Sequence, residues 1–162
     1  MSYLPCELHC HTIHSDGDFT VSELQKAAAD DHLAIIALTD HNTFSGWDEL
    51  DDNIIPAIRG IEWTTYFGHM LVLGANDFVD WRDAQPDNID EKIKQVKAVG
   101  GIVGIAHPYQ LGSPLCTGGR WEFNVRDWRN VDYIEVWHQN LYSAKRENER
   151  ALELWTSLLD RG

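Results

Sequence analysis

The sequence predicts an α/β protein with a largely parallel sheet or barrel, and three observations lead to this class. Short apolar runs of strand length recur along the 162 residues, and segments with helical spacing lie between several of them. One run, residues 33–38, is continuously apolar, which is typical of a strand covered on both faces. Strands that alternate with helices favour a parallel sheet. The length suits one domain, which we expect to span residues 1–162.

The chain opens with a short strand and a capped helix. A strand over residues 6–9 leads into a histidine-rich loop. Thr20 and Glu23 have the spacing of a capping box, so a helix is predicted to begin here. The predicted inner face of this helix carries Leu24, Ala27 and Ala28. The apolar strand 33–38 follows it.

Four more apolar runs complete the predicted sheet, at residues 54–61, 70–73, 102–106 and 133–137. Between the second and third of these runs, the spacing of Ile89, Ile93 and Val96 predicts a helix that ends near Gly100. Residues 109–120 are rich in glycine and are predicted to form a long loop. A final helical face carries Ala151, Leu152, Trp155, Leu158 and Leu159.

Charge and composition limit the partners of the protein. The formal net charge is −13, so the surface repels long polyanions and binding to duplex nucleic acid is not expected. Small phosphorylated ligands stay compatible with this charge, because bound divalent metals can invert the local field. No apolar run is long enough to span a membrane, and the N-terminal residues do not form a secretory signal. Cys6, Cys10 and Cys116 fit free thiols, so we expect a cytoplasmic protein.

Histidines and carboxylates follow several of the apolar runs. They are His9, His11, Asp16, Asp40, His41, Glu62, His107 and His138. In parallel α/β folds the functional edge lies at the carboxyl ends of the strands, so these residues are predicted to converge on one rim. His69 is the exception, because it precedes its run. A mixture of imidazole and carboxylate suits zinc, manganese or iron better than magnesium or calcium.

Several of these residues also have a simpler interpretation. His9 and His11 alternate along a strand and so can bind one ion together, and the alternative is a pair of hydrogen-bonded core histidines. Asp16 precedes a glycine and could be only a turn residue, and His69 could be an exposed hairpin histidine. Glu62 lies between two apolar residues, where a carboxylate is costly unless it is paired or bound to metal.

Five short segments resemble motifs of the PHP (polymerase and histidinol phosphatase) domain phosphoesterases, which belong to the wider amidohydrolase-like group. The segments are residues 9–17, 36–43, 60–62, 68–74 and 106–108. The resemblance implies a distorted (β/α)7 TIM-like barrel with two or three divalent metal ions at the strand ends, of zinc, manganese or iron. The implied ligands are His9 and His11 for the first metal, Glu62 bridging the first and second, His69 and His107 for the second, and Asp16 and His41 for a third. Asp40 would hold neighbouring residues in orientation without binding a metal itself.

The chain departs from the family pattern at three places. Glu7 stands where aspartate is usual, and His138 stands where asparagine is common. The family pattern closes with a strand that carries Gly-Ser-Asp-x-His, and this chain stops before that strand. We therefore expect either a C-terminally incomplete barrel or a protein that lacks these last two ligands.

The expected reaction is hydrolysis of a small phosphorylated substrate, a nucleotide or a phosphate monoester, by a metal-bound water. His14 and His138 are candidates for acid–base catalysis or phosphate contact. Arg120 could clamp a phosphate or be a plain surface arginine. Two alternatives remain: an amidohydrolase acting on a C–N or C–O bond, and a catalytically silent metal-binding domain.

Overall fold

The computed structural model describes residues 3–110, 119–138 and 144–161. Most of the predicted loop 109–120 and Cys116 lie outside the described residues. The strands are β1 Cys6–Cys10, β2 Ile35–Leu38, β3 Ala57–Thr65, β4 Gly68–Leu73, β5 Ile102–Ile105 and β6 Tyr133–Ile134. The helices are α1 Val21–Asp30, α2 Ile89–Ala98 and α3 Lys145–Leu159, and short 3-10 turns lie at Trp47–Glu49 and Trp128–Asn130.

The six strands form one mixed sheet in the order β1-β2-β3-β4-β5-β6. The pairs β1–β2, β2–β3 and β5–β6 are parallel, but β4 is antiparallel to both β3 and β5. The expectation of a largely parallel sheet is therefore wrong at β4. Only Tyr66 and Phe67 join β3 to β4, and two residues can form a hairpin but not the crossover that a parallel pair needs.

The sheet curls, and side chains at the ends of its two outer strands come into contact. A flat sheet of six strands would hold its outer strands about 24 Å apart. Instead, the His9 side chain at the end of β1 lies 3.2 Å from the carboxylate of Glu135, which directly follows β6. An apolar cluster lines the inside of the curl and includes Leu8, Ala37, Ile58, Leu71, Leu73, Ala106 and Tyr133. Gly104 makes this packing possible, because a Cβ there would lie only 2.1 Å from the Tyr133 ring.

The helices cover the outside of the sheet. Helix α1 begins at the predicted capping box, with Thr20 and Glu23 bonded reciprocally, and it buries Val21, Gln25 and Ala28. Helix α2 buries Ile89, Ile93 and Val96 against β3 and β4, as their spacing predicts. In α3 Ala151 is buried, whereas Leu152 and Leu159 are exposed. Among the described residues, no helix combines the length and apolar character needed to cross a membrane.

Candidate metal centre

One fully buried carboxylate lies at the centre of the histidine cluster. Glu62 on β3 has no exposed surface, and a ring nitrogen of each of five histidines lies within 3.4 Å of its oxygens. The nitrogen–oxygen distances are 3.2 Å for His9, 3.4 Å for His11, 2.8 Å for His41, 3.0 Å for His69 and 3.2 Å for His107. Five separate points of the chain therefore converge on one glutamate.

The reversed direction of β4 explains the place of His69. The residue lies near the start of β4, which in an antiparallel strand is at the same edge as the carboxyl ends of its parallel-running neighbours. Its Nδ1 lies 3.0 Å from Glu62 Oε1. His69 precedes its apolar run and so did not fit the rule for parallel strands, yet it lies at the same rim as the other histidines.

The electrostatics of the cluster keep Glu62 ionised. Burial alone raises the pKa of Glu62, but contacts with His107, His41 and His69 outweigh burial and hold the pKa far below its ordinary value. Burial acts in the opposite direction on a histidine and alone would lower the pKa of His9. Contacts with Glu135 and Glu62 nevertheless raise this pKa to about 10. For His11, burial and the neighbouring His9 lower the pKa to about 4. Near neutral pH, Glu62 is therefore ionised and His9 is protonated, whereas His11 is neutral.

The described residues fit a metal better than they fit a closed hydrogen-bond network. Glu62 Oε2 and His69 Nε2 are buried and have no hydrogen-bond partner among the residues that the structure describes. Three imidazole nitrogens approach Glu62 Oε2, but none is aligned to donate to it. Buried polar atoms without partners are rare because they lose their bonds to water. If these atoms bound a cation instead, each of them would have a partner.

Within the described parts of the chain, three groups of donor atoms have the compactness of metal sites, with the atoms of each group within 4.8 Å of one another. They are His9 with Glu62 and His107, His41 with Glu62 and His69, and His11 with Asp16 and His41. Glu62 belongs to two groups, so one carboxylate stands between two candidate positions. The predicted ligand residues are thus all brought together, and their role as ligands stays a prediction.

The third group is the most open. The Asp16 side chain is 68% exposed, and its oxygens lie 3.7 Å from His11 Nδ1 and 3.4 Å from His41 Nε2. Gly17 lets the loop fold this tightly, since a Cβ there would lie 2.3 Å from the carbonyl oxygen of His11. Asp16 is therefore in a turn and also faces two histidines, so the two interpretations made from the sequence are compatible.

Asp40 holds the histidine-rich loop in place. Its buried carboxylate accepts hydrogen bonds from the backbone and hydroxyl of Thr12, at 2.7 and 2.8 Å, and from Ser15 Oγ at 2.6 Å. Ser15 Oγ in turn lies 3.5 Å from His11 Nδ1. Asp40 orients the loop that carries His11, and it does so through the loop rather than by touching the histidine rings.

The three residues suggested for acid–base or phosphate contact lie at different distances from the cluster. The His138 ring packs against His107, with the ring centres 5.2 Å apart. Both ring nitrogens of His14 are engaged, by Ser45 Oγ at 2.8 Å and by Glu49 at 2.9 Å. Arg120 is exposed and forms an isolated antiparallel bridge with Tyr109, and among the described residues it makes no ion pair with Glu62.

Glu135 is a site residue that the sequence did not reveal. Its carboxylate contacts His9 Nδ1 at 3.2 and 3.3 Å and accepts a hydrogen bond of 2.8 Å from the backbone of His107. The available signal was a carboxylate inside an apolar run, between Ile134 and Val136. That is the same signal that singled out Glu62.

Comparison with known proteins identifies the family. The sequence pattern of the PHP domain matches residues 7–103, which is more than half of the chain. The chain belongs to the PHP domain family. Two uncharacterized proteins of Methanocaldococcus jannaschii are similar to it. One is 28% identical over 67% of this chain and 48% of the relative, and the other is 29% identical over 85% of both. This chain thus spans about half of one relative and most of the other.

Two solved structures share the fold of this PHP domain. A protein from Bifidobacterium adolescentis, assigned to the metal-dependent phosphoesterases, superposes with a TM-score of 0.60 at 19% identity. The alignment covers 96% of this chain and 84% of that one. A two-domain protein from Bacteroides vulgatus that contains a predicted PHP-like metal-dependent phosphoesterase gives a TM-score of 0.63 at 22% identity, over 82% of this chain and 44% of that one. At these identities the similarity shows the fold alone.

Proposed function

We propose that this PHP domain is a metal-dependent phosphoesterase that hydrolyses a small phosphorylated substrate, a nucleotide or a phosphate monoester. The observation that carries the proposal is the position of Glu62, a fully buried carboxylate within 3.4 Å of five histidines. Proteins seldom bury an ionised carboxylate unless it is paired or binds a metal. We further propose that the six strands are part of a distorted (β/α)7 barrel.

The donor set fits two or three ions of zinc, manganese or iron. Glu62 with His9 and His107 would hold one ion, and Glu62 with His41 and His69 would hold another. His11, Asp16 and His41 form the third, more exposed position. Imidazole with carboxylate is the ligand mixture that these borderline cations prefer. Ions bound here would supply Lewis acidity toward a phosphoryl oxygen and an activated water.

Among the candidate acid–base residues, the geometry favours His138 over His14. His138 packs on the ring of His107, whereas both nitrogens of His14 are already occupied by Ser45 and Glu49. Burial and the nearby His107 lower the pKa of His138, so its imidazole is neutral at pH 7 and can accept a proton. Arg120 is retained as a proposed phosphate contact at the exposed edge.

The substrate is proposed to be small because the protein is strongly acidic. The protein has a net charge of −13, so it repels a long polyanion except where bound cations reverse the field. A monophosphate needs only that one positive region. A nucleic-acid duplex would need a basic face many phosphates long.

The test compares two substrates on one preparation. The chain, loaded with zinc or manganese, is assayed against an aryl phosphate and an aryl amide, and again after dialysis against EDTA and return of the metal. The expected result is metal-dependent turnover of the phosphate, reduced about 100-fold in His69→Ala, because losing a ligand should cost as much as the upper end of the 10- to 100-fold loss seen for a residue behind a ligand. The matched control is His32→Asn, because His32 is exposed and has a φ of 60° that asparagine tolerates.

Other outcomes would contradict the proposal in distinct ways. Turnover of the amide alone would make the domain an amidohydrolase. Tight metal binding with turnover of neither substrate would make it a silent metal-binding domain.

A further inference from the structure

Glu135 joins the two ends of the curled sheet at the candidate metal centre. It follows β6, yet both of its carboxylate oxygens lie within 3.3 Å of His9 Nδ1 at the end of β1. One of them also accepts a hydrogen bond of 2.8 Å from the backbone N–H of His107, after β5. A single side chain therefore touches two of the three residues in the His9, Glu62 and His107 group.

We propose that Glu135 is the positioning residue of this metal group, fixing the tautomer of His9 and the backbone of His107. The inference rests on the proposed function, since it assigns Glu135 a role toward the ion that His9 and His107 would bind. Glu135 itself is not placed among the ligands. It acts through the two residues that it holds.

The tautomer follows from which nitrogen faces which carboxylate. His9 Nδ1 faces Glu135, and His9 Nε2 faces Glu62 at 3.2 Å. If a bound ion replaced the proton on His9 Nε2, the remaining Nδ1–H would donate to Glu135 and the lone pair of Nε2 would face the ion. Histidine ligands commonly donate their second N–H to a carboxylate, which fixes the ring and raises the basicity of the liganding nitrogen.

The backbone of His107 gives an independent reason for the same role. His107 has a φ of 25°, in a region that residues other than glycine rarely adopt. Such a conformation persists only when surrounding bonds hold it, and it is frequent at functional sites. The bond from the His107 N–H to Glu135 is one of these bonds, and His107 Nε2 then lies 3.2 Å from Glu62.

A role limited to holding β1 and β6 together does not explain why the residue here is a carboxylate. At the seam, which is the place where β1 approaches β6, Leu8 and Tyr133 already belong to the inner apolar cluster. The Glu135 side chain is only 18% exposed and lies near the second carboxylate, Glu62, since both contact His9. An apolar side chain would close such a seam at lower cost than a buried charge. The charge is explained if the residue serves the imidazole.

The test measures zinc binding and the His9 tautomer in Glu135→Ala, Glu135→Gln and the wild type. Zinc affinity is measured by competition with a chromogenic chelator. The tautomer is read from the side-chain ¹⁵N shifts of zinc-loaded, histidine-labelled protein. Glu153→Ala is the matched control, because it removes an exposed carboxylate of α3. Urea unfolding of each zinc-free variant reports separately on stability.

The expected result is a 10- to 100-fold loss of zinc affinity in Glu135→Ala, with a mixture of His9 tautomers, and no change in Glu153→Ala. Glu135→Gln keeps a carbonyl acceptor of the same size, so it should fold, retain the Nδ1–H tautomer and lose less affinity than the alanine variant. If the variants lose only stability while zinc affinity and the tautomer match the wild type, Glu135 is structural and the inference is wrong. A wild-type chain that binds no zinc would overturn the proposed function and this inference together, an outcome distinct from unchanged variants.

Discussion

Replacing Glu62 by glutamine tests the candidate metal centre at its most connected residue. The change keeps the size of the side chain and removes only its charge and one acceptor oxygen. Glu62 belongs to two of the three donor groups, whereas the group of His11, Asp16 and His41 does not contain it. We therefore expect Glu62→Gln to weaken two metal positions together and to leave the third.

The size of the effect follows from the number of ligands lost. Loss of a hydrogen-bonding partner behind a ligand typically weakens metal binding 10- to 100-fold. Glu62 is a candidate ligand itself and supplies the carboxylate of both groups. At each of the two positions the expected loss is therefore 100-fold or more, which corresponds to about 2.8 kcal/mol of binding free energy.

Zinc binding is measured by isothermal titration calorimetry, and the thermal unfolding of the same samples is measured with and without zinc. Zinc should raise the unfolding midpoint of the wild type, because a ligand that binds only the native state stabilises it. This stabilisation should largely disappear in Glu62→Gln. Asp16→Asn is the matched control, since it removes the carboxylate of the third group and leaves both Glu62 groups intact.

Equal zinc stoichiometry and affinity in Glu62→Gln and the wild type would refute the reasoning. So would a pattern in which Asp16→Asn loses more zinc than Glu62→Gln. The zinc-free variant must also remain folded in EDTA, which its unfolding transition would show.

Three further predictions concern the frame around the site. Gly104→Ala should lower the free energy of unfolding by about 1–3 kcal/mol in urea, because the new methyl group would meet the Tyr133 ring at 2.1 Å. Thr20→Ala should cost about 1 kcal/mol in the same assay, since it removes the cap of α1. Iodoacetamide at pH 8 should modify the exposed Cys6 and spare Cys10 until the chain unfolds, as mass spectrometry would show. Cys10 is buried, and burial raises the pKa of its thiol to about 12, so little thiolate forms.

The sequence predicted the positions of the strands better than their directions. The apolar runs at 70–73 and 102–106 are β4 and β5, within a residue or two. The direction of β4 was missed although the eight residues between the predicted runs 54–61 and 70–73 are already fewer than the dozen or so that a parallel crossover needs. In the structure β3 continues to Thr65, and the gap shrinks to two residues. Tyr66 and Phe67 are not typical turn residues, and the glycine beside them, Gly68, is already the first residue of β4.

The site was predictable where a residue follows an apolar run, and not where a contact joins distant parts of the chain. His41 and His107 come directly after β2 and β5, and the rule for strand ends places them correctly. Glu135 is different, because its partner His9 is 126 residues away and only the curl of the sheet brings the two together. No local pattern encodes that curl.

The β3–β4 hairpin also has a consequence for how the site assembles during folding. Glu62 and His69 are only seven residues apart, on strands joined by two residues, so the entropy lost in closing their loop is small. Hairpins of this kind form in microseconds. The buried carboxylate therefore gains its first imidazole early and locally. His9 and Glu135 must wait until the whole sheet has curled, so the time at which metal affinity appears in refolding should mark closure of the sheet rather than formation of the hairpin.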